Sequence, residues 1–372
     1  SVAGAATTGL WLVPTFGLQP AALGLAALAA TSGALRQRSR RATAGLAACA
    51  AIILAAPAWD PSLYAVGLGL RVSEFVDLSP RAVERFAHEG WTLRYAREGR
   101  TASIAVGEST RTGNRWLSIN GKVDASTGDD MPTQVLSGQL PVAVHRALHP
   151  GVAPRVAVVG LASGVTAGSA LDAGAATVDV IELEPRVAEA ARFFEDVNHG
   201  VLDDPRTTLH IDDARALLSR SGPAWDVIVS EPSNPWITGV SNLFTQEYWT
   251  LARRRLAPGG VFVQWVQLYA LPPSGLRSLV RTFQTVFPNA WLFESIPGSD
   301  ALLVAIHDPA RRLPASRYLP LAPTLDPGGL ARLGGRARRN TDDMPWIEFE
   351  APRWLHRDTG TTNAALIADA VD

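Results

Sequence analysis

The stretch at residues 155–184 constrains the fold of this chain more than any other part of its sequence. It reads RVAVVGLASGVTAGSALDAGAATVDVIELE, with an apolar run at 156–159, a loop of small residues, and a second β-branched run at 178–181 that ends on Glu182. Strand, glycine-containing turn, helix, strand and acid is the order of a nucleoside-binding βαβ unit. The sequence therefore predicts such a unit, although glycine-rich turns of this kind also serve as plain packing solutions.

Each part of this unit has a physical role in holding a nucleoside. Gly160, Gly164 and Gly168 let the backbone approach a ligand, and the following helix N-terminus offers free N–H groups. A carboxylate at Glu182 can accept hydrogen bonds from both ribose hydroxyls. Ala162 stands where a G-x-G-x-x-G loop would have its second glycine. This departure disfavours a dinucleotide pyrophosphate and favours an adenosyl group without phosphate.

From residue 155 onward, strand-like runs alternate with helical stretches. The alternation predicts a mostly parallel sheet with helices on both faces and ligands at the carboxyl ends of the strands. The predicted strands are 156–159, 178–181, 208–211, 225–229, 261–264 and 301–305, and the predicted helices are 165–173, 186–198, 214–219, 245–256 and 273–287.

Acids follow three of these predicted strands. Glu182 and Glu184 follow the second, Asp212 and Asp213 the third, and the run EPSNPW, which begins at Glu231, the fourth. Because the carboxyl ends of parallel strands meet at one edge of a sheet, these acids are expected to converge on one crevice. Asp212 is alternatively the cap of the next helix, and Glu184 an acid that orients its loop.

Upstream, residues 91–150 predict a small antiparallel β unit and a covering loop. Asn120-Gly121 is a hairpin turn signal, and a loop rich in turn formers and acids leads into a helix predicted over 133–148. This loop either caps that helix or folds over a ligand. The period-2 runs lie at 91–96, 101–106 and 116–120.

Two uncharged segments, 1–35 and 42–59, flank the basic cluster RQRSRR at 36–41. The first segment is long enough to cross a bilayer, which needs about 20 apolar residues, and the second is marginal. A signal peptide would begin with basic residues and a short apolar core, so membrane helices and an Ala-rich soluble hairpin are the better readings. We predict membrane helices that end a longer membrane region, in a multi-pass protein of the cell membrane.

The orientation of those helices stays open. The positive-inside rule places the cluster at 36–41 in the cytoplasm, so a fully spanning 42–59 segment would put the rest of the chain outside it. Availability of a nucleoside substrate favours the cytoplasmic side instead.

Composition excludes several other classes of function. The formal net charge is −1, which gives no reason to expect a nucleic-acid-binding surface. Cys49 is the only cysteine, so neither an intramolecular disulfide nor a cysteine zinc site is possible within the chain. The seven histidines lack H-x-x-x-H spacing, and we predict no metal site.

Between about residues 91 and 307 the chain resembles the spermidine synthase family of aminopropyltransferases. The stretches that carry the resemblance are REGRTASIAV, INGKVDAS, DDMPTQVLSGQLP, VAVVGLASG, VIELEP, LHIDDARALL, WDVIVSEPSNPW, LFTQEYW and LAPGGVFVQW. With its apolar segments in front, the chain is similar to the membrane-attached, fused spermidine synthase-like branch. The resemblance implies an α/β Rossmann-like fold of the SAM-dependent transferase type, behind a small N-terminal antiparallel β domain and membrane-associated helices.

The resemblance also implies substrates and residue roles. The substrates would be decarboxylated S-adenosylmethionine or S-adenosylmethionine itself, and a small-molecule amine that receives an aminopropyl group. Glu182 would hold the ribose hydroxyls and Asp213 the adenine amino group. Gln134 would lie near the sulfonium tail, and Glu231 would be the general base for the amine, which must react unprotonated. The rest of the nucleoside-binding set is Gly160, Ser163, Gly164, Asp212 and Ala214, and Asn234 is the second catalytic position.

Departures from the family pattern fall on the acceptor side. Ser163 and Asn234 replace aspartates, Glu231 replaces a shorter aspartate, Thr133 replaces a tyrosine, and Ala102 replaces a glutamine. The residues that hold adenosine are retained, whereas those that recognise the aminopropyl and diamine groups are altered. We therefore expect a SAM-type nucleoside and an acceptor that need not be putrescine.

Two other functions remain open. Methyl transfer from S-adenosylmethionine would use the same fold, and Ser163 leaves space where the family has a carboxylate. A non-catalytic nucleoside sensor attached to a membrane protein would bind without turnover. The resemblance further implies a homodimer. Trp236, Trp265 and Tyr269 either line an acceptor pocket or belong to the core.

The C-terminal part reads as an extension. The motif NTDDMPWIEFEAPR begins at residue 340, and Asp342 and Asp343 either reach the acceptor side or form a solvated turn before a short strand at 346–349. The predicted domains are 1–59 hydrophobic, 60–90 linker, 91–150 β unit and covering loop, 151–310 nucleoside-binding catalytic domain, and 311–372 C-terminal extension.

Overall fold

The structure, a computed structural model, describes residues 2–37, 39–68, 70–71, 77, 79–237 and 239–371. Arg38 of the basic cluster and parts of the 60–90 linker lie outside the described residues. The chain divides into two compact units, one of Ser1–Gly113 with Ser118–Lys122 and one of Asn114–Leu117 with Val123–Asp372. The domain limits drawn from the sequence stay a prediction.

The first unit begins with apolar helices. Its α-helices are α1 Val2–Thr7, α2 Val13–Phe16, α3 Leu18–Gln37, α4 Arg40–Ala55, α5 Pro61–Ala65 and α6 Pro80–His88, and a π-helical turn covers Thr8–Leu12. Within the described ranges, one helix is long and apolar enough to cross a membrane, over Leu18–Arg36, while Thr43–Ala55 is a shorter apolar stretch. Gln19 accepts a hydrogen bond from the Trp59 backbone N–H at 2.7 Å, and its Nε2 donates to the Pro57 carbonyl at 2.6 Å, so the segment after α4 returns to the start of α3.

The N-terminal antiparallel sheet has four strands, in the order β1-β2-β3-β4. The three predicted runs are confirmed, and β4 is an addition that the sequence reading left in a loop. Asn120 and Gly121, with φ of 51° and 79°, form the predicted tight turn before it. The strands are β1 Trp91–Glu98, β2 Ser103–Ser109, β3 Arg115–Ile119 and β4 Lys122–Ser126.

The second unit contains a seven-stranded mixed sheet in the order β10-β11-β9-β8-β5-β6-β7. The strands from β9 to β7 are parallel, and β11 pairs antiparallel with both β9 and β10. All six predicted strands are confirmed, and β10 is missed because AWLFESI shows no clear alternation. The strands are β5 Arg155–Val159, β6 Thr177–Glu182, β7 Thr207–Ile211, β8 Trp225–Ser230, β9 Leu256–Gln267, β10 Ala290–Ile296 and β11 Asp300–Ile306.

Helices cover both faces of this sheet. The predicted helix at 186–198 is interrupted by a 3₁₀ turn at Arg192–Phe194, and the predicted strand at 346–349 is wrong because these residues form a helix. The α-helices are α7 Met131–Leu148, α8 Val165–Asp172, α9 Pro185–Ala191, α10 Glu195–Asn198, α11 Ala214–Ser219, α12 Gln246–Arg255, α13 Pro273–Val286, α14 Pro327–Gly334, α15 Trp346–Glu350 and α16 Gly360–Asp369. Further 3₁₀ turns lie at Val201–Asp203, Val240–Phe244, Ser316–Tyr318 and Ala351–Trp354.

Alternation along β9 separates the core from the crevice. Phe262 stacks on Phe287 of α13, at 5.1 Å between ring centroids, and lies with Trp249 of α12 in one large apolar cluster. Odd-numbered β9 residues point to the opposite face, where α7 packs. The site described next lies at the carboxyl ends of the parallel strands, with Thr133 and Asp300 on that α7 face.

Candidate active site

The loop after β5 fits only glycine at its first position. Gly160 has φ of +95°, and a Cβ there would lie 2.7 Å from the carbonyl oxygen of Glu231. Its N–H donates to the Ile181 carbonyl at 2.9 Å. Gly164, with φ of +82°, is the N-cap of α8. The loop therefore lies tightly between the ends of β6 and β8, where the sequence predicts a crevice.

Glu182 is fixed at the tip of β6. Its Oε2 accepts from the Leu161 N–H at 3.0 Å and its Oε1 from the Glu184 N–H at 2.9 Å. The side chain is 8% exposed, and burial raises its pKa although these backbone donors act in the opposite direction. Each oxygen keeps a further lone pair, which suits a pair of vicinal hydroxyls. Glu184 caps helix α9 by accepting from the Arg186 N–H at 3.1 Å.

The two acids after β7 have different roles in the local structure. Asp213 is the N-cap of α11, where its Oδ1 accepts from the Ala216 N–H at 2.8 Å. Asp212 instead pairs with Arg220 at 2.5 Å and accepts from the Asp213 N–H at 2.9 Å. The expectation that Asp212 caps this helix is wrong, because the extended backbone of Asp213 sets its own carboxylate over the first turn.

Apolar side chains lie next to Glu182 and Asp213. Ala214, at the first position of α11, packs with Val159 at the end of β5 and Ile181 near the end of β6, and all three are buried. These side chains form a small floor of the kind that a planar ring can cover.

Gln134 and Ser163 are bonded to each other. The Ser163 hydroxyl donates to Oε1 of Gln134 at 2.5 Å, and Nε2 of Gln134 donates to the Ser126 carbonyl at 2.9 Å and to Oδ2 of Asp130 at 3.1 Å. Both side chains are buried. The covering loop before α7 is thereby joined to the glycine loop.

Glu231 continues the line of β8 into the crevice. Its N–H donates to the Val159 carbonyl at 3.0 Å, which extends the parallel pairing with β5 by one residue. The Thr166 hydroxyl, on α8, donates to its Oε2 at 2.5 Å and lies 2.9 Å from the Gln134 carbonyl. Helix α8 thus holds the carboxyl group in one position.

The electrostatic surroundings of Glu231 disfavour its charged form. Burial raises the pKa of Glu231 to about 8, and the negative charges of Asp300 and Asp130 act in the same direction, while the hydroxyls of Thr166 and Ser137 oppose it. A carboxyl group with such a pKa exchanges its proton near neutral pH. Perturbed carboxyl groups in a crevice are typical of acid-base sites.

Asp300 is a site residue that the sequence reading missed. It is 5% exposed, its Oδ2 accepts from the Thr133 hydroxyl at 3.1 Å, and its Oδ1 accepts from the Trp265 indole N–H at 3.1 Å. The sequence pattern predicts acids only where they follow parallel strands. Asp300 instead begins the antiparallel strand β11, and the first residue of an antiparallel strand lies at the same edge as the last residues of its parallel neighbours.

The loop after Glu231 holds Asn234 fully buried. Neither Nδ2 nor Oδ1 of Asn234 has a hydrogen-bond partner among the described residues. Its neighbour Ser233 donates to Oδ1 of Asp124 in β4 at 2.5 Å. Trp236 packs against the apolar core cluster, whereas Tyr269 is 36% exposed.

The C-terminal motif is tied to helices α11 and α12. Asp342 forms an ion pair with Arg215 of α11 and accepts from the Thr245 hydroxyl, the N-cap of α12, at 2.7 Å. Its own N–H donates to Oε2 of Glu247 at 2.9 Å. Asn340 is fully buried, and its Nδ2 donates to the Phe244 carbonyl at 3.0 Å.

Comparison with known proteins agrees with this geometry. Residues 156–297 match the family model of the spermine/spermidine synthase domain. The polyamine aminopropyltransferase of Synechococcus sp. strain JA-2-3B'a(2-13) is 32% identical over 48% of this chain and 60% of its own length. That of Synechococcus sp. strain JA-3-3Ab is 29% identical over 68% of this chain and 81% of its own length. Polyamine aminopropyltransferase 1 of Streptomyces coelicolor is 28% identical over 84% of this chain and 60% of its own length.

A solved structure supports the fold assignment. The probable spermidine synthase from Corynebacterium glutamicum ATCC 13032 matches with a TM-score of 0.52 and 20% identity, over 67% of this chain and 96% of that chain. The fold is therefore a Rossmann-like α/β fold, as in that probable spermidine synthase. More narrowly, residues 156–297 match the spermine/spermidine synthase domain and the chain is similar to polyamine aminopropyltransferases, which confirms the resemblance in its motifs.

Proposed function

We propose that this chain is an aminopropyltransferase, which moves an aminopropyl group from decarboxylated S-adenosylmethionine to an amine. One observation carries the proposal: Glu231, with its raised pKa, lies next to the glycine loop and is held by Thr166. A carboxyl group in that place can take a proton from an attacking amine near neutral pH.

The proposed reaction forms one bond, breaks one bond and transfers one proton. The amine nitrogen attacks the CH₂ carbon bonded to the sulfonium, a new C–N bond forms, and the C–S bond breaks with its electron pair going to sulfur. The products are the aminopropylated amine and methylthioadenosine, and the proton lost by nitrogen goes to Glu231. The sulfonium charge lowers the pKa of Glu231 when the donor binds, so the carboxylate is present when the amine arrives.

In this proposal the nucleoside is held by the ends of β6 and β7. Glu182 accepts from the two ribose hydroxyls, since its backbone bonds fix both oxygens. Asp213 uses Oδ1 for its cap, and Oδ2 would accept from the adenine amino group. The adenine ring would cover Ala214 and its apolar neighbours, and Gly160, Gly164, Ser163 and Gln134 would line the path to the sulfonium tail. The proposed reaction uses no metal.

Methyl transfer from S-adenosylmethionine is the second candidate. The Ser163 hydroxyl is bonded to Gln134 at a position where the family has an aspartate for the aminopropyl amine. Loss of that carboxylate would allow the amino acid carboxylate of S-adenosylmethionine to bind.

A product assay separates the two functions. Purified protein is given each donor with a panel of di- and polyamines, and products are identified by mass spectrometry. We expect methylthioadenosine and an amine heavier by one aminopropyl group. S-adenosylhomocysteine with a methylated amine would instead establish methyl transfer, and nucleoside binding without either product would support the sensor function.

We also infer that the apolar helix Leu18–Arg36 attaches the protein to a membrane. Its exposed side chains include Leu25, Leu28 and Leu35, and contact of these apolar side chains with water is unfavourable. We expect the protein to stay in the membrane pellet after extraction with carbonate or high salt and to be released by detergent. Release by salt alone would contradict an integral helix. The homodimer stays a prediction, to be checked by light scattering in detergent.

A further inference from the structure

A buried glutamine on the active-site face has no hydrogen-bond partner. Gln267, the last residue of β9, is 0% exposed, and neither its Oε1 nor its Nε2 is bonded among the residues that the structure describes. Burying an amide without partners is unfavourable, because its hydrogen bonds to water are lost and not replaced. A ligand that forms the missing hydrogen bonds with this amide would explain why it is buried without partners.

Strand register places Gln267 opposite Asp300, an acid whose charge acts on the proposed base. Gln267 pairs directly with Asp300 across the β9–β11 ladder, so both side chains point to the same face. Trp265, two residues earlier on that face, donates to Asp300 at 3.1 Å. Asp300 in turn is close enough for its charge to raise the pKa of Glu231. The unpaired amide therefore belongs to the crevice where the amine must arrive.

The chemistry of an amide limits what it can bind. An ammonium group has only N–H donors, so it can satisfy Oε1 of Gln267 but leaves Nε2 without an acceptor. A hydroxyl, carbonyl or carboxylate oxygen can accept from Nε2. Asn234, three residues after Glu231, presents a second buried amide with the same unmet need for an oxygen acceptor. Two amides of this kind fit a plain diamine poorly.

We propose that the acceptor is an amine that carries an oxygen group, with Gln267 as the residue that recognises the oxygen. This inference rests on the proposed aminopropyl transfer. The acceptor nitrogen lies between Asp300 and Glu231, which hold its positive charge until the proton passes to Glu231. The oxygen accepts a hydrogen bond from Nε2 of Gln267, and the reaction itself is unchanged.

The test compares acceptors that differ by an oxygen. The pairs are 1,4-diaminobutan-2-ol against 1,4-diaminobutane, 4-aminobutan-1-ol against butylamine, and 4-aminobutanoate against butylamine, each with decarboxylated S-adenosylmethionine. In the unmodified protein we expect at least one oxygen-bearing amine to exceed its partner about 10-fold or more in kcat/KM. In Gln267→Leu that ratio should fall to about one, mainly through a higher KM for the oxygen-bearing amine.

Matched variants separate recognition from folding. Gln267→Leu removes an unpaired amide, so its melting temperature should stay the same or rise, and donor affinity should be unchanged. Gln284→Leu removes a glutamine that is already bonded to the Pro327 carbonyl, on the opposite face, and should leave the acceptor order unchanged. Gln267→Glu should raise kcat/KM for the plain diamine.

Each outcome decides a different claim. Transfer that prefers the oxygen-free amine in every pair, with the same order in Gln267→Leu, would overturn the inference and leave aminopropyl transfer standing. Absence of methylthioadenosine with every acceptor, despite donor binding, would remove the transfer activity itself and the inference with it.

Discussion

The carboxyl group of Glu231 lies at a strand end, next to the glycine loop and within hydrogen-bond distance of a helix hydroxyl. Gly160 lets the glycine loop approach the backbone of Glu231 closely, and Thr166 fixes the Glu231 carboxyl group. Asp300 and Asp130 add negative charge near that group. Like charges and burial both favour the protonated form. A cationic donor removes this penalty, so donor binding and ionisation of Glu231 are coupled.

That coupling predicts proton release on donor binding. The pKa of Glu231 is about 8 in the ligand-free protein, so at pH 7 the group is mostly protonated, and the sulfonium lowers the pKa. Calorimetry at pH 7 in two buffers of different ionisation enthalpy should show release of several tenths of a proton with S-adenosylmethionine. Methylthioadenosine, which has no charge on sulfur, is the control and should release much less.

In Glu231→Gln the release should disappear, because no proton is left to lose at that site. Proton uptake by the unmodified protein, or equal release by the variant, would contradict this assignment.

The sequence predicted candidate acids where they follow parallel strands. Glu182, Asp213 and Glu231 each end or follow such a strand, and in the sheet β6 is next to β7 while β5 lies between β6 and β8. Asp300 and Gln267 escaped notice because their meeting depends on an antiparallel pairing between β9 and β11, which no local pattern encodes. Unmet hydrogen bonds, likewise, are visible only in three dimensions.

At the scale of elements, the C-terminal motif acts as a clamp on two helices. Arg215 on α11 and Thr245 at the start of α12 both bind Asp342, and the Arg215 guanidinium keeps the pKa of Asp342 below its usual range. Helix α11 starts directly after Asp213, so the clamp holds the helix whose N-terminus belongs to the proposed adenine site.

Asp342→Ala tests this clamp. The ion pair is partly exposed, and its loss with the Thr245 bond should lower stability by about 1–2 kcal/mol, measured as a lower melting temperature. The order of acceptors in the product assay should not change. Asp343→Ala, at the exposed neighbouring position, is the control and should melt like the unmodified protein. An altered acceptor order with unchanged melting would show instead that Asp342 serves the acceptor side.

Helices and strands with a strong hydrophobic period were predicted from the sequence, and those without such a period were not. After residue 155, the hydrophobic period of each segment indicates whether it is a strand or a helix, because each segment is buried in the sheet or packs one face against it. A short strand at 346–349 belongs to one of the two sequence predictions for the C-terminal motif, but Trp346–Glu350 folds as a single helical turn whose Ile347 is buried in the core cluster. Tertiary packing overrides propensity in so short a segment.

At the scale of the molecule, the chain joins an apolar helical unit with a small sheet to a large Rossmann-like unit. Composition alone separated the apolar segment from the rest, because uncharged runs of that length are rare in soluble domains. The alternation of strands and helices predicted a mostly parallel sheet, but not the order of its seven strands. The hairpin of β10 with β11 at one edge was missed, because the sequence of β10 shows no clear alternation.

Turnover and donor affinity of Glu231→Gln, measured on the same preparation, test whether Glu231 is the base. We expect a single-turnover rate lower by about 100-fold or more, because the amine loses its proton acceptor, and a donor Kd within about threefold of the unmodified protein. Glu195→Gln, an exposed acid paired with Arg192, is the matched control and should change neither quantity. An unchanged rate, or a rate and an affinity that fall by the same factor, would contradict the role of Glu231 as the base.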